Sequence, residues 1–360
     1  MSRTVRSPHI AVLLASVTAM ALATGAKAGG KHNKGPISIA DQGMFFVGGE
    51  VIYNRPTDDE HVTINQMYVQ YQVPAGKSRV PVVFTHGCCL SSASWQTTPD
   101  GRPGWDEYFL RRGHSVYLTD QSGRGRSGFD ATPFNMVQSG LEPDPSTQPS
   151  IFHASHQRGW DAFRFGPALN EVFDGLRFPI AYVDELYKQM IPDINSGLPS
   201  PNPTYQNLAD LAVKIDGAVL VGHSQSGRYP IEAALVNPAG VRGLIVVEGT
   251  DREFTDAEID VLKDIPILVM FGDYLALGPV RWQTRYDAYV LLVDRINAAG
   301  GNATMMYLPE MGIYGNSHMI MQDNNSDDIA KLVADWIKDN VEKKSQHHHW
   351  WKLWKKFAKH

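Results

Sequence analysis

Residues 218–227 read Ala218-Val219-Leu220-Val221-Gly222-His223-Ser224-Gln225-Ser226-Gly227. Four apolar residues run straight into a Gly-His-Ser turn, and a helical pattern follows to Val236. A strand that turns abruptly into a helix puts the turn residue at the tip of a sheet. Gly222 removes a side chain where the turn is tightest. Ser224 is then expected to hold strained dihedrals, with its Oγ clear of the backbone and the helix dipole aimed at it. The pattern departs from Gly-x-Ser-x-Gly at its fifth residue, Ser226, with Gly227 one later. Packing there demands only a small residue, so serine is tolerable. The bland alternative is an ordinary serine at a strand-to-helix turn.

Outward from this turn, strands and helices alternate. Strands are expected at 45–53, 62–73, 80–85, 115–119, 218–221, 243–247, 265–271 and 304–308. Helices are expected at 105–112, after Ser224 through 236, and at 280–299 and 327–341. Such alternation gives an α/β fold, a mostly parallel sheet flanked by helices on both faces. One connection is anomalous. Residues 128–217 separate two core strands, far beyond an ordinary crossover. The stretches 143–149 and 192–203 are turn-rich, and 160–188 looks helical. We read 128–217 as an insertion before the nucleophile strand that carries a lid; a second domain would need a larger core than it offers.

The chain has 360 residues, 43% of them hydrophobic and 20% charged, which excludes disorder and coiled coil as readings of the whole. Net charge is -5, and both ends are basic, so the body is acidic and nucleic acid is not an expected partner. Residues 1–28 read as a signal peptide: Arg3 and Arg6, an apolar stretch at 10–23, and Ala26-Lys27-Ala28 as cleavage site. Residues 29–346 form the expected domain. Residues 347–360 change character: Trp350, Leu353, Trp354 and Phe357 share one helical face, and Lys352, Lys355, Lys356 and Lys359 the other. That tail is an appended segment or a membrane-surface helix, and any membrane contact is expected through it alone.

Three segments carry a resemblance: His86-Gly87-Cys88-Cys89, Asp120-Gln121-Ser122-Gly123-Arg124-Gly125-Arg126-Ser127, and the Ser224 turn. Over roughly residues 45–340 the chain resembles the α/β-hydrolase superfamily, and more closely secreted bacterial esterases of the esterase 713 type. The resemblance implies the α/β-hydrolase fold, a serine nucleophile, and backbone N–H donors to the oxyanion from Cys88 and Gln225. The second segment also matches a dinucleotide fingerprint, Gly123-x-Gly125-x-x-Gly128, but residues 129–133 do not open an amphipathic helix, so that context fails.

In this fold the chain order is Ser, acid, His. His318 is the only histidine between Ser224 and His347, which makes it the expected base. Two carboxylates end core strands, Glu248 and Asp273. The esterases this chain resembles carry a Glu at the earlier strand, which favours Glu248; Asp273 stays in reserve, and Asp251 is weaker. His86 and His223 fit no place in the triad order and read as structural. His153 and His156 have metal-like spacing but no partner ligand. Trp95 is either a pocket wall or a core residue.

Cys88 and Cys89 are the only cysteines. Bonded cysteines usually hold their Cα atoms about 4.4–6.8 Å apart, whereas neighbours lie about 3.8 Å apart. A bridge would thus be a strained ring that closes almost no loop. Export and the resemblance nevertheless imply a Cys88–Cys89 disulfide that would hold the Cys88 N–H toward the oxyanion; two reduced thiols are the alternative.

Together these readings imply a secreted or periplasmic serine esterase acting on small carboxylic esters, without metal or organic cofactor. A lactonase, an amidase, a polyester hydrolase or a non-catalytic binding protein on the same scaffold stays open, as does a homodimer.

Overall fold

The computed structural model describes residues 35–55, 59–76, 78–194, 200–279 and 281–343. The expected signal peptide and C-terminal tail lie outside the described residues. Among those described, no helix is long and apolar enough to cross a membrane.

Strands β1 (Ile39–Tyr53), β2 (His61–Pro74), β3 (Arg79–Thr85), β4 (His114–Asp120), β5 (Ala218–His223), β6 (Val241–Val247), β7 (Ile267–Phe271) and β8 (Ala303–Tyr307) form one sheet. Its order is β1-β2-β4-β3-β5-β6-β7-β8. The first two pairings are antiparallel; every pairing from β4 to β8 is parallel. The helices are α1 (Ala93–Gln96), α2 (Trp105–Leu110), α3 (Thr132–Gln138), α4 (His156–Ala162), α5 (Val183–Gln189), α6 (Pro203–Lys214), α7 (Tyr229–Val236), α8 (Asp256–Leu262), α9 (Arg281–Ala298) and α10 (Ser326–Ile337).

The central strands read as continuous apolar runs because both faces are covered. Side chains alternate between two cores. Val82, Phe84, Val219, Val221, Ile245 and Val247 face one core, with α2, α10 and the insertion. Val83, Leu220, Leu244, Val246, Val269 and Phe271 face the other, with α6, α7, α8 and α9. Trp95 belongs to the first core, fully buried against Phe84 and Trp105.

Register sets the site. Thr85 pairs with Gly222, and His223 with Val247. The C-terminal ends of β3, β5 and β6 are therefore level, and the residues that follow them converge on one edge of the sheet. Ligand sites in open α/β sheets form at such carboxyl ends.

Two expectations for the insertion need correction. The stretch 160–188 is not helical throughout: only α4 and α5 form, separated by irregular backbone. Gly166-Pro167 interrupts it, since proline restricts its predecessor and lacks a donor. The apolar spacing reflects a packed ring cluster instead. Phe165 stacks on Phe178 at 4.1 Å and meets Trp160 edge-on at 5.7 Å. The end of the insertion is not lid at all. Helix α6 starts where the Asn202 side chain accepts from Thr204 N–H at 2.9 Å with Pro203 in the first turn. It packs against β1, β2 and α7, in the body of the sheet.

Candidate active site

Ser224 follows β5 directly and has φ 56°, in the left-handed region that costs a non-glycine residue about 1–3 kcal/mol. The strain is held from several sides. Thr250 N–H donates to the Ser224 carbonyl at 3.0 Å, and Thr250 Oγ1 to the Gln225 carbonyl at 3.1 Å. Tyr289 Oη donates to the Thr250 carbonyl at 2.8 Å. A Cβ on Gly222 would overlap the Ser226 carbonyl, and one on Gly87 would lie 2.8 Å from Ser224 Cβ. Both glycines are there for close backbone approach.

Ser226 is more than small. Its hydroxyl lies 2.9 Å from the Thr85 carbonyl and 3.0 Å from the His223 carbonyl, and it accepts from His223 N–H at 3.1 Å. It thereby ties the turn to β3. The close contact expected of a small fifth residue falls instead on Gly227, whose Cβ would overlap Gly249 beyond β6.

His318 Nδ1 lies 3.0 Å from Glu248 Oε2. Glu248 ends β6 with φ 55° and is fully buried. Its Oε1 accepts from Gly272 N–H at 2.5 Å. Arg164, from the insertion, bonds both carboxylate oxygens, Nη1 to Oε2 at 2.7 Å and Nη2 to Oε1 at 2.6 Å. Burial alone would raise the Glu248 carboxyl; the Arg164 charge and the hydrogen bonds from His318 and Arg164 outweigh it and hold it at about 2. Asp273 is spent elsewhere: its carboxylate accepts from Gly315 N–H at 2.8 Å and Tyr274 N–H at 2.7 Å.

Burial pushes His318 down to about 4 despite the Glu248 bond, so its ring is neutral near pH 7 and can accept a proton. Its loop is pinned by buried Asp323, which accepts from Ser317 N–H at 2.8 Å and Asn316 Nδ2 at 2.9 Å. His318 N–H donates to the Phe163 carbonyl at 3.0 Å. His223 is a support: its Nε2 lies 2.9 Å from the His318 carbonyl. His86 is also structural, with Gln121 N–H donating to its Nε2 at 3.1 Å. Of the insertion's histidines, His156 stacks on Tyr187 at 3.8 Å and His153 reaches the Met190 carbonyl at 3.2 Å.

Ser224, Gln225, Cys88, Cys89 and His318 all line one cleft of about 350 Å³, roofed by Phe152 and Phe163 of the insertion. Cys89 has φ 60°, which turns the two thiols to one side. They are unbridged here: Sγ lies 2.7 Å from Sγ, and Cys88 Sγ donates to Asp193 Oδ2 at 3.1 Å. A disulfide bond would be about 2.05 Å. The glycine segment after β4 folds around the Asp120 carboxylate, which accepts from Arg126 N–H at 2.9 Å and Ser92 N–H at 2.9 Å.

A solved structure described as a novel bacterial esterase is 45% identical, with a TM-score of 0.81, over 85% of this chain and 98% of that one. The chain belongs to the α/β-hydrolase family. No protein-family model matches it. A protein named "Probable secreted lipase phiG", from a fungal species (strain ATCC 74256), is 26% identical over 352 residues, covering 82% of this chain and 89% of the relative.

Two residues of this α/β-hydrolase escaped the sequence reading. Arg164 sits 60 positions before the nucleophile in a segment with no motif. Arg124 was quoted only as part of the glycine segment. It is fully buried, donates from Nη1 to Gln225 Oε1 at 2.6 Å, and pairs through Nη2 with Asp193 at 2.7 Å. Since Asp193 also accepts from Cys88, Arg124 links the two residues that flank Ser224. An arginine one residue after Gly123 carries no signal for that role.

Proposed function

We propose that this protein is an exported serine hydrolase of carboxylic esters that works through an acyl-enzyme. Ser224 Oγ attacks the ester carbonyl carbon and gives its proton to His318 Nε2. Glu248 holds the Nδ1–H and stabilises the imidazolium. The Cys88 and Gln225 N–H groups take the oxyanion, each worth about 3 kcal/mol in comparable sites. Collapse expels the alcohol, which takes the proton from His318. Water, deprotonated by His318, then releases the acid and frees Ser224.

What carries the reading is the His318–Glu248 contact of 3.0 Å, in one cleft with a serine at a positive-φ turn. The bacterial esterase at 45% identity supports ester chemistry. Export rests on residues 1–28 and on the relative named as a secreted lipase. In an oxidising compartment we propose that the two thiols pair, giving up two electrons and two protons to an exchanging disulfide, which leaves as two thiols. The basic tail is proposed as the only membrane contact. Hydrolysis of p-nitrophenyl esters tests the core of this reading: the full chain should turn them over, and Ser224→Ala should lose nearly all of that activity. Undiminished turnover by Ser224→Ala would overturn it.

A further inference from the structure

The cleft beside Ser224 is lined by Arg158, Arg281 and Arg285 and, among the described residues, by no carboxylate side chain. This is a local excess of positive charge in a chain of net charge -5. Several arginines elsewhere in the molecule are tightly paired: Arg126 with Asp120 at 2.7 Å, Arg252 with Glu232 at 2.6 Å, Arg164 with Glu248 at 2.6 Å. Those of the cleft are held loosely. Arg281 meets Asp161 only at 3.4 Å, with both side chains largely exposed, and Arg285 meets Asp251 only at 3.7 Å although it is mostly buried. Arg158 lies over the Phe152 ring at 4.8 Å and forms no ion pair among the described residues.

Helix energetics alone would not put these charges there. Arg281 and Arg285 are four apart on one face of α9, beginning at its first residue, and that first turn has no acid. Like charges at this spacing repel, and cations oppose the positive end of a helix. Both guanidinium groups are instead positioned by Trp282, whose ring they overlie at 5.4 and 4.7 Å. Trp282 lies 4.2 Å from the His318 ring, and its buried Nε1–H has no acceptor among the described residues. The arrangement sets guanidinium donors along the same cleft as Ser224. Arginine forks match a carboxylate with two parallel hydrogen bonds.

We propose that the cleft selects esters that carry a second, free carboxylate, on either the acyl or the alcohol part. This rests on the proposed ester hydrolysis. The test uses the full chain and two matched pairs of esters. In the acyl pair, p-nitrophenyl hemiglutarate is compared with p-nitrophenyl valerate. In the alcohol pair, 4-carboxyphenyl butyrate is compared with phenyl butyrate. At least one charged ester should exceed its neutral partner about tenfold in kcat/KM. That ratio should fall with rising salt and should collapse about tenfold or more in the double variant Arg281→Gln/Arg285→Gln. The proposal is overturned if neutral esters are turned over as well as charged ones in both pairs, or if the preference survives in the double variant and at high salt. Hydrolysis of the neutral esters without preference would strike this selectivity alone. Failure to hydrolyse any of the four would strike the ester reading itself.

Discussion

Arg164 and Glu248 meet as a fully buried ion pair with two parallel hydrogen bonds, 2.7 and 2.6 Å long. Arg164 also donates from Nε to the Asp273 carbonyl at 2.9 Å. The insertion thus does more than cover the cleft. It supplies the cation that keeps the acid of the site ionised and the fork that fixes its plane. Removing one partner of such a pair leaves an uncompensated buried charge. Arg164→Met should therefore destabilise the fold by about 3–5 kcal/mol. Chemical denaturation of the two proteins at pH 7 measures this; an unchanged midpoint would mean that the pair contributes nothing to the folded state.

The same geometry separates the two carboxylates the sequence offered, Glu248 as the favoured acid and Asp273 in reserve. Glu248 bonds the imidazole, while Asp273 is occupied by backbone N–H groups. Glu248→Gln should lower kcat on the order of 10⁴-fold, the scale of an amide at the triad acid. Asp273→Asn should lower it far less, because it changes only the support of the loop around Gly315. Finding Asp273→Asn the more damaging variant would refute the assignment.

The acid limb of the rate profile should lie low. In the proposed mechanism His318 works only as the free base, and burial pushes it down to about 4. The kcat/KM should hold from neutral pH down past 6 and fall as pH drops toward 4. A half-maximal rate at the ordinary histidine value of about 6.5 would contradict that burial. Stability should follow a related course. His86, His223 and His318 are all lowered by burial, to about 4, 3 and 4. Between pH 6.5 and those values the unfolded chain binds protons that the folded histidines refuse, which lowers stability as pH falls; Asp106 and Asp323, raised by burial to about 7, take protons first in the folded chain and offset that loss. Asp106→Asn removes part of the offset, so its melting temperature should fall more steeply from pH 7 to pH 4 than that of the parent; an unchanged slope would oppose this.

The adjacent cysteines are free in this structure, with Sγ atoms 2.7 Å apart and the Cys89 backbone turned to bring them together. Contact with Cys89 and burial push the Cys88 thiol up, and of the two only Cys88 is partly exposed. Protein recovered from an oxidising export compartment should take up no alkylating reagent without reductant and two equivalents with it. Two trapped thiols in exported, active protein would end the disulfide proposal.

Much of the frame was legible because it rests on local signals. The apolar run at 218–221, Gly222 and Ser224 marked strand, turn and proposed nucleophile in consecutive residues, and the buried strand β3 was signalled by its β-branched run. His318 followed from chain order, as the only histidine in the right interval. Arg164 and Arg124 were not legible, since their contacts reach across 84 and 101 positions, and the arginines at the start of α9 were not legible because their partners lie on other elements. Helix α6 did carry its signals, Asn202 and Pro203, but the turn-rich residues before them masked the start. The stretch 160–188 misled for the opposite reason: buried rings imitated a helical face.

The central claim is that Ser224 is a nucleophile activated by His318. Peptide mapping after treatment with a serine-directed fluorophosphonate tests it most directly. The account predicts one covalent adduct per chain, on the peptide holding Ser224, slowed strongly in His318→Ala and absent in Ser224→Ala. An unlabelled Ser224 in folded protein that still hydrolyses esters, or an adduct that forms equally fast without His318, would contradict it.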